Sequence, residues 1–309
     1  MDLVIISQKS NQEQWVEALK ALEPTLKVSV YPHDTDRDEV VFALAWHPPK
    51  GVFKNYPKLK CIASTGAGVD HILRDSELPL DIEVTRVVDR NITDDMTSYL
   101  VAQVMSQMRN VSHYKLLQTN TEWQPKRYLD NSTTCVGIMG YGELGTDAGN
   151  KLKLLGLKVI GWANSTKNIA GVKVFVGQAE FNEFLSKSDI LICLLPLTSD
   201  TENILNKHTF SHLPAGAFII NVARGEHLVE DDLLAAINEG KLSGACLDVF
   251  REEPLAKDHP FWHHPKVTVT PHVASITSPK SVAPQIIDNY RRLRNGEPLL
   301  NVVSRTKGY

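Results

Sequence analysis

Arg224, Glu253 and His272 lie late in the chain, and each closely follows a short apolar run that reads as a buried parallel strand. In an open α/β sheet, ligands bind in the crevice outside the carboxyl ends of the strands, so these side chains are placed to meet a ligand. Arg224, in NVARGEHL, offers a planar guanidinium that can hold a carboxylate through two parallel hydrogen bonds while facing a neighbouring carbonyl oxygen. His272, in TPHVAS, and Glu253, in LDVFREEPL, form a candidate acid pair, because a carboxylate beside an imidazole favours the protonated ring. Taken singly, Arg224 has an ordinary reading as a surface arginine and His272 as a structural or exposed histidine, and Glu252, beside Glu253, reads as solvated. With a hydride source, the three together suit reduction of a keto acid.

The hydride source is indicated upstream by GYGELG, which comprises Gly140, Tyr141, Gly142, Glu143, Leu144 and Gly145. The segment follows a strand and opens a helix, the context in which this spacing binds a dinucleotide. The first glycine makes the turn, the second admits the pyrophosphate, and the third lets helix and strand approach. The helix amino terminus then meets the phosphates. A glycine-rich turn that binds nothing would look the same in isolation, but the βα units around it argue for the dinucleotide.

Folds that prefer NAD place an acid about 20 residues further on, at the end of the second strand. Here that loop carries Asn164, Ser165, Thr166 and Lys167 and no acid. A 2′-phosphate would meet no repulsion there, which favours NADP(H) and leaves NAD(H) possible; a plain solvated loop accounts for Lys167 nearly as well. A second glycine turn, STGAGVD, can aim the amides of Ala67, Gly68 and Val69 at an anion. An ordinary βα turn reads the same residues equally well. Trp46, in AWHPP, either walls that site or belongs to the core.

These residues need two sets of elements to hold them. Strands are expected at 3–7, 27–31, 41–46, 61–64 and 83–86, followed by a helix that Thr93 can cap, with Asp94 and Asp95 in its first turn. A second series is expected at 135–140, 158–162, 172–176, 189–195, 217–222, 244–249 and 266–270, with helices between most strands, for example 230–239 before Gly240. Near-continuous apolar strands alternating with helices indicate an α/β protein with parallel sheets covered on both faces. A last helix from Ser278 to Asn295, stopped at Gly296, has Pro279 suited to its first turn and Pro284 as a kink. It is expected to pack back on the amino-terminal domain.

At 309 residues, two domains are the natural expectation. The net charge of −3, from 33 basic and 36 acidic residues, supplies no basic field for nucleic acid or anionic lipid. The longest apolar run, ILICLLPL, is too short to span a bilayer. MDLVIIS lacks the features of a secretory signal, so a cytosolic protein is expected. Cys61, Cys135, Cys193 and Cys246 stand apart among apolar residues, as buried free thiols and not as metal ligands; no metal is expected.

The motifs AWHPP, GAGVD, GIMGYGELG, LLPLT, NVARG, LDVFREEPL and TPH, with RTKGY at the end, run in this order along nearly the whole chain. In them the sequence resembles the D-isomer-specific 2-hydroxyacid dehydrogenases. The resemblance implies a doubly wound Rossmann cofactor domain, residues 99–274, inserted into a flavodoxin-like substrate domain, residues 1–98 plus 275–309, with the active site in the cleft. It implies Arg224 as carboxylate and carbonyl binder, His272 as proton donor, Glu253 as its partner, and the GAGVD amides as holders of the substrate carboxylate. Leu195, Pro196, Val222, Ala223 and Asp248 would lie along the cofactor, with Met96 near the nicotinamide. Close relatives have an arginine-rich loop where this chain has Asn164, Thr166 and only Lys167. The expected reaction is NAD(P)H-dependent reduction of a small 2-keto acid such as glyoxylate or hydroxypyruvate to the D-2-hydroxy acid, by a homodimer. The alternatives are a dehydrogenase for another side chain, such as D-lactate or D-3-phosphoglycerate, and a nucleotide-sensing interaction protein on the same scaffold.

Overall fold

Side chains alternate between the two faces of a strand, so a strand covered on both faces must be apolar at nearly every position. In the computed structural model, which describes residues 2–8 and 11–308, the apolar runs behave in this way. Met1 and Tyr309, the outer residues of MDLVIIS and RTKGY, lie outside the described residues.

The chain divides into two compact units, Met1–Ile92 with Thr277–Tyr309, and Thr93–Ile276. The first boundary falls at Ile92 and not at residue 98, inside the helix Arg90–Met108; the second falls at Ile276 and not at residue 274. That helix also starts before Thr93. The Asp89 carboxylate accepts the amide of Ile92 at 3.1 Å, so Asp89 caps the first turn, and Thr93 lies buried within the helix.

The first unit is built on β1 (Asp2–Ser7), β2 (Val28–Val30), β3 (Val40–Trp46), β4 (Cys61–Ser64) and β5 (Glu83–Thr85). All are parallel, in the order β2-β1-β3-β4-β5, the flavodoxin-like arrangement. Leu3 and Ile5 of β1 and Phe42 and Leu44 of β3 face one core, with Trp15 and Leu19 of α1 (Gln12–Leu22). Val4, Ile6, Ala43 and Ala45 face another, with Ile72 of α2 (Asp70–Leu73). The carboxyl-terminal helix Pro279–Asn295 lies in this unit, as expected; it packs on α1, adds Val282 and Ile286 to the same core, and sets Tyr290 edge-on to Phe42 of β3. Burying each such side chain stabilises the fold by roughly 1.5–3 kcal/mol. Gly296, at φ +70°, ends the helix in the left-handed conformation.

The second unit carries β6 (Cys135–Met139), β7 (Lys158–Ala163), β8 (Lys173–Val176), β9 (Ile190–Cys193), β10 (Ala217–Asn221), β11 (Leu242–Leu247) and β12 (Val267–Val269). Their order is β12-β11-β10-β9-β6-β7-β8, again all parallel, a doubly wound Rossmann sheet. Met96, Leu100, Val104 and Met108 of α3 (Arg90–Met108) cover one face with α5 (Glu143–Leu154); α4 (Val111–Thr119) follows α3 in the chain. The short helices α6 (Phe181–Ser186) and α7 (Lys207–His212) and α8 (Glu230–Asn238) cover the other; α9 is Pro279–Asn295 of the first unit. Among the described residues, no helix is long and apolar enough to cross a membrane.

Candidate active site

Strands β10, β11 and β12 are neighbours in the second sheet, and Arg224, Glu253 and His272 all follow their carboxyl ends. The parallel register therefore gathers residues far apart in sequence. His272 Nδ1 lies 2.8 Å from Glu253 Oε2, and the other carboxylate oxygen, Oε1, accepts the Phe250 amide at 3.0 Å. Burial alone would raise the Glu253 carboxyl; the hydrogen bond and charge of His272, the Phe250 amide and the charge of Arg224 hold it below the ordinary carboxylate value. An ionised carboxylate only accepts, so the proton on that axis belongs to Nδ1, and Nε2 is the ring atom left to act on a ligand.

His272 stands in an unusual backbone conformation, φ +54°. Its amide donates to the Asp248 carbonyl at 2.8 Å, and the Asp248 carboxylate collects the turn around it. Oδ1 accepts Thr270 Oγ1 at 2.5 Å and the Val273 amide at 2.9 Å, while Oδ2 accepts the Ala274 amide at 2.9 Å. Asp248 is buried, so its carboxylate braces the histidine loop and does not line open surface. Arg224, partly exposed, donates from Nη1 to the Ala223 carbonyl at 2.7 Å.

The glycine fingerprint fits a dinucleotide. Gly140 has φ +91°, and a Cβ there would come within 2.6 Å of the Leu194 carbonyl, so the turn tolerates no side chain. A Cβ on Gly142 would meet nothing within 4 Å, which leaves an open cradle at the start of α5. No side chain caps that helix, and uncapped amides at a helix start suit phosphate. Tyr141 departs from the expected role. Its ring is fully buried between Gly149 of α5 and Gly161 of β7, and its amide donates to the Trp162 carbonyl at 3.2 Å. Its side chain is therefore core, and the exposed Glu143 stands on the rim.

Asn164, Ser165 and Thr166 are exposed directly after β7, which pairs with the fingerprint strand β6, and Lys167 is partly buried. Leu195 and Pro196 follow β9, and Val222 and Ala223 follow β10, the two strands that continue the sheet from β6. Met96 is buried on α3.

In the first unit, Ser64 Oγ accepts the Gly66 amide at 3.2 Å and donates to the Gly68 carbonyl at 2.8 Å, shaping the GAGVD turn. No hydrogen bond among the described residues uses the amides of Ala67, Gly68 or Val69. Trp46 covers this turn: a Cβ on Gly66 would lie 2.8 Å from the indole. Its ring also packs on His71, with centroids 4.5 Å apart.

Two residues beside Arg224 were not among those expected from the sequence. Asn221 and His227, both fully buried, bond the backbone of Arg224 from either side. The available signal was their spacing, three residues before and three after the arginine in NVARGEH.

Two parallel sheets of these orders, a glycine cradle and a His–Glu pair beside an arginine define a nucleotide-dependent dehydrogenase of two-domain α/β type. The family model described as D-isomer specific 2-hydroxyacid dehydrogenase, NAD binding domain, matches residues 101–274, and the chain belongs to that family. Glyoxylate/hydroxypyruvate reductase A of Serratia proteamaculans (strain 568) is 39% identical over 314 residues, covering 100% of both chains. Among solved structures, a D-isomer specific 2-hydroxyacid dehydrogenase from Xanthobacter autotrophicus Py2, in complex with NADPH and MES, is similar at a TM-score of 0.95 and 38% identity, over 100% of this chain and 99% of that one. An NADPH-dependent glyoxylate/hydroxypyruvate reductase from Sinorhizobium meliloti, in complex with NADP and sulfate, gives 0.93 and 35% over the same shares.

Proposed function

We propose that this chain is an NADPH-dependent reductase of small 2-keto acids, glyoxylate and hydroxypyruvate first among them, yielding the D-2-hydroxy acids. The observation that carries the reading is the 2.8 Å contact between His272 Nδ1 and Glu253 Oε2, with Arg224 at the end of the adjacent strand. Bound at the fingerprint, the dinucleotide supplies hydride to the carbonyl carbon. Arg224 holds the substrate carboxylate and faces the oxygen on which charge develops, where a fixed cation stabilises the transition state more than the ground state. His272 gives its Nε2 proton to that oxygen, and Glu253 keeps the ring oriented through Nδ1. The amides of Ala67, Gly68 and Val69 are the further anion donors of this reading, and Trp46 the wall beside them.

NADP(H) is preferred over NAD(H), because the loop after β7 has no acid to repel a 2′-phosphate and carries Lys167. Initial rates with NADPH and NADH against glyoxylate, hydroxypyruvate, pyruvate and phenylpyruvate test the whole reading. It predicts turnover with the two small acids and a higher specificity constant with NADPH; turnover confined to pyruvate, or none with any acid, would refute it.

The working form is a homodimer. Trp123 is 96% exposed, and Val111, Tyr114, Leu116, Tyr128 and Leu129 add apolar surface on α4 and the segment after it. That segment is ordered: Lys126 donates its amide to Tyr114 Oη at 2.9 Å, and Leu129 donates to the Met108 carbonyl at 3.1 Å. A fixed, outward apolar band of this kind marks a protein interface. Light scattering is expected to show a dimer, and the double change Trp123→Ser with Tyr128→Ser to give a monomer; an unchanged mass would move the interface elsewhere.

A further inference from the structure

We propose that His227, as a neutral ring protonated at Nε2, is the positioning residue of Arg224, tying the arginine's backbone to the LLPLT loop; this rests on the reading of Arg224 as the carboxylate binder. The ring is 0% exposed. Nε2 lies 3.3 Å from the Pro196 carbonyl, which can only accept, so Nε2 carries the proton. Nδ1 then has a lone pair, and the Arg224 amide donates to it at 3.2 Å. The Arg224 carbonyl, also 3.2 Å from Nδ1, is occupied from the other side by Asn221 Nδ2 at 2.9 Å. One tautomer satisfies both ends of the ring, and the other would set Nε2 and a carbonyl lone pair to lone pair. Burial also pushes the imidazole below its ordinary value, helped by the charge of Arg224 and opposed by the two carbonyls and Glu226.

The consequence is geometric. Arg224 is the residue that opens a short 3-10 turn, Gly225–His227, and its amide is held by the His227 ring from within that turn. A Cβ on Gly225 would lie 1.9 Å from the Phe250 carbonyl carbon, so the turn is pressed against the strand-end backbone that leads to Glu253. Pro196, at the other end of the ring, is held as well by Thr201 Oγ1 at 2.7 Å. The imidazole thus sets the distance between a loop assigned to the cofactor and the arginine assigned to the substrate, touching neither ligand.

Two near-isosteric replacements separate the two bonds. In His227→Asn the amide oxygen can take the place of Nδ1 and keep the Arg224 bond; in His227→Gln the amide nitrogen can take the place of Nε2 and keep only the Pro196 bond. With glyoxylate and saturating NADPH, His227→Gln and His227→Leu are expected to raise the Michaelis constant roughly tenfold, the scale of one lost positioning hydrogen bond, and His227→Asn, which loses the Pro196 bond and keeps that to Arg224, to raise it less. NADPH affinity, read by fluorescence, is expected to hold in all three. In an Arg224→Ala background, His227→Leu should change nothing further, because the histidine acts through the arginine. An active parent matched by His227→Gln and His227→Leu, or losses that add to Arg224→Ala, would overturn this inference alone; a parent inactive on every keto acid would overturn the underlying reading with it. Nitrogen-15 spectra of histidine-labelled protein give a readout independent of turnover: a buried ring protonated only at Nε2 near neutral pH is expected, and an Nδ1–H or doubly protonated ring contradicts the proposal.

Discussion

Glu253 divides its two oxygens between two tasks, one taking the proton-bearing Nδ1 of His272 and the other the amide of Phe250. Because its folded pKa lies below the ordinary value, its ionised form is favoured by folding, and that contribution is complete above the unfolded carboxylate pKa of about 4.3. It is lost as the pH falls through the lower folded value. The difference in melting temperature between the parent and Glu253→Gln should therefore shrink as the pH falls below about pH 4. A difference that holds or grows below that pH would mean that the ionised carboxylate is not favoured by the fold. The residue types of this pair were readable because strand-end positions in a parallel sheet converge. The bracing by Asp248 was not, since a buried aspartate and a cofactor-facing one occupy the same place in the sequence.

Among the elements, α5 and β7 show how the fingerprint is held. The Tyr141 ring fills the gap between them, and its hydroxyl has no hydrogen-bond partner among the described residues; burial pushes it up to about 12. An unsatisfied buried hydroxyl is destabilising, so Tyr141→Phe should raise stability by about 1 kcal/mol in urea unfolding and leave NADPH affinity unchanged. Gly161→Ala should do the reverse, because its Cβ would lie 2.4 Å from the Tyr141 ring. A Tyr141→Phe protein that is less stable would show that the hydroxyl is bonded, for example by a buried water. The central strands β1, β3, β4, β6, β9, β10 and β11 were legible as apolar runs, since coverage on both faces leaves little room for polar residues. The start of α3 was not, because Asp89 and Thr93 are both competent caps and only the fold shows which oxygen meets an amide.

For the whole molecule, the strand orders of the two sheets could not be read from apolar runs, which carry no information on neighbours; the resemblance in the motifs supplied them. Cys61, Cys193 and Cys246 are buried, as their apolar surroundings indicated, while Cys135, the first residue of β6, is partly exposed. Burial pushes the thiols of Cys61 and Cys193 up to about 12 and those of Cys135 and Cys246 up to about 11, so a thiol reagent near neutral pH should label the native protein slowly and the unfolded one fully. Rapid labelling of the native state at the rate of the unfolded chain would show that the cores open readily.

As proposed above, His272 delivers a proton to the keto acid reduced at this site. The direct test is the rate of NADPH oxidation with saturating glyoxylate in the parent and in His272→Asn, after both bind NADPH with equal affinity. Turnover is expected in the parent, with a loss of about 10²- to 10⁴-fold in the variant, the contribution of a positioned acid. A correctly folded His272→Asn protein that reduces glyoxylate at the parent rate would contradict this role.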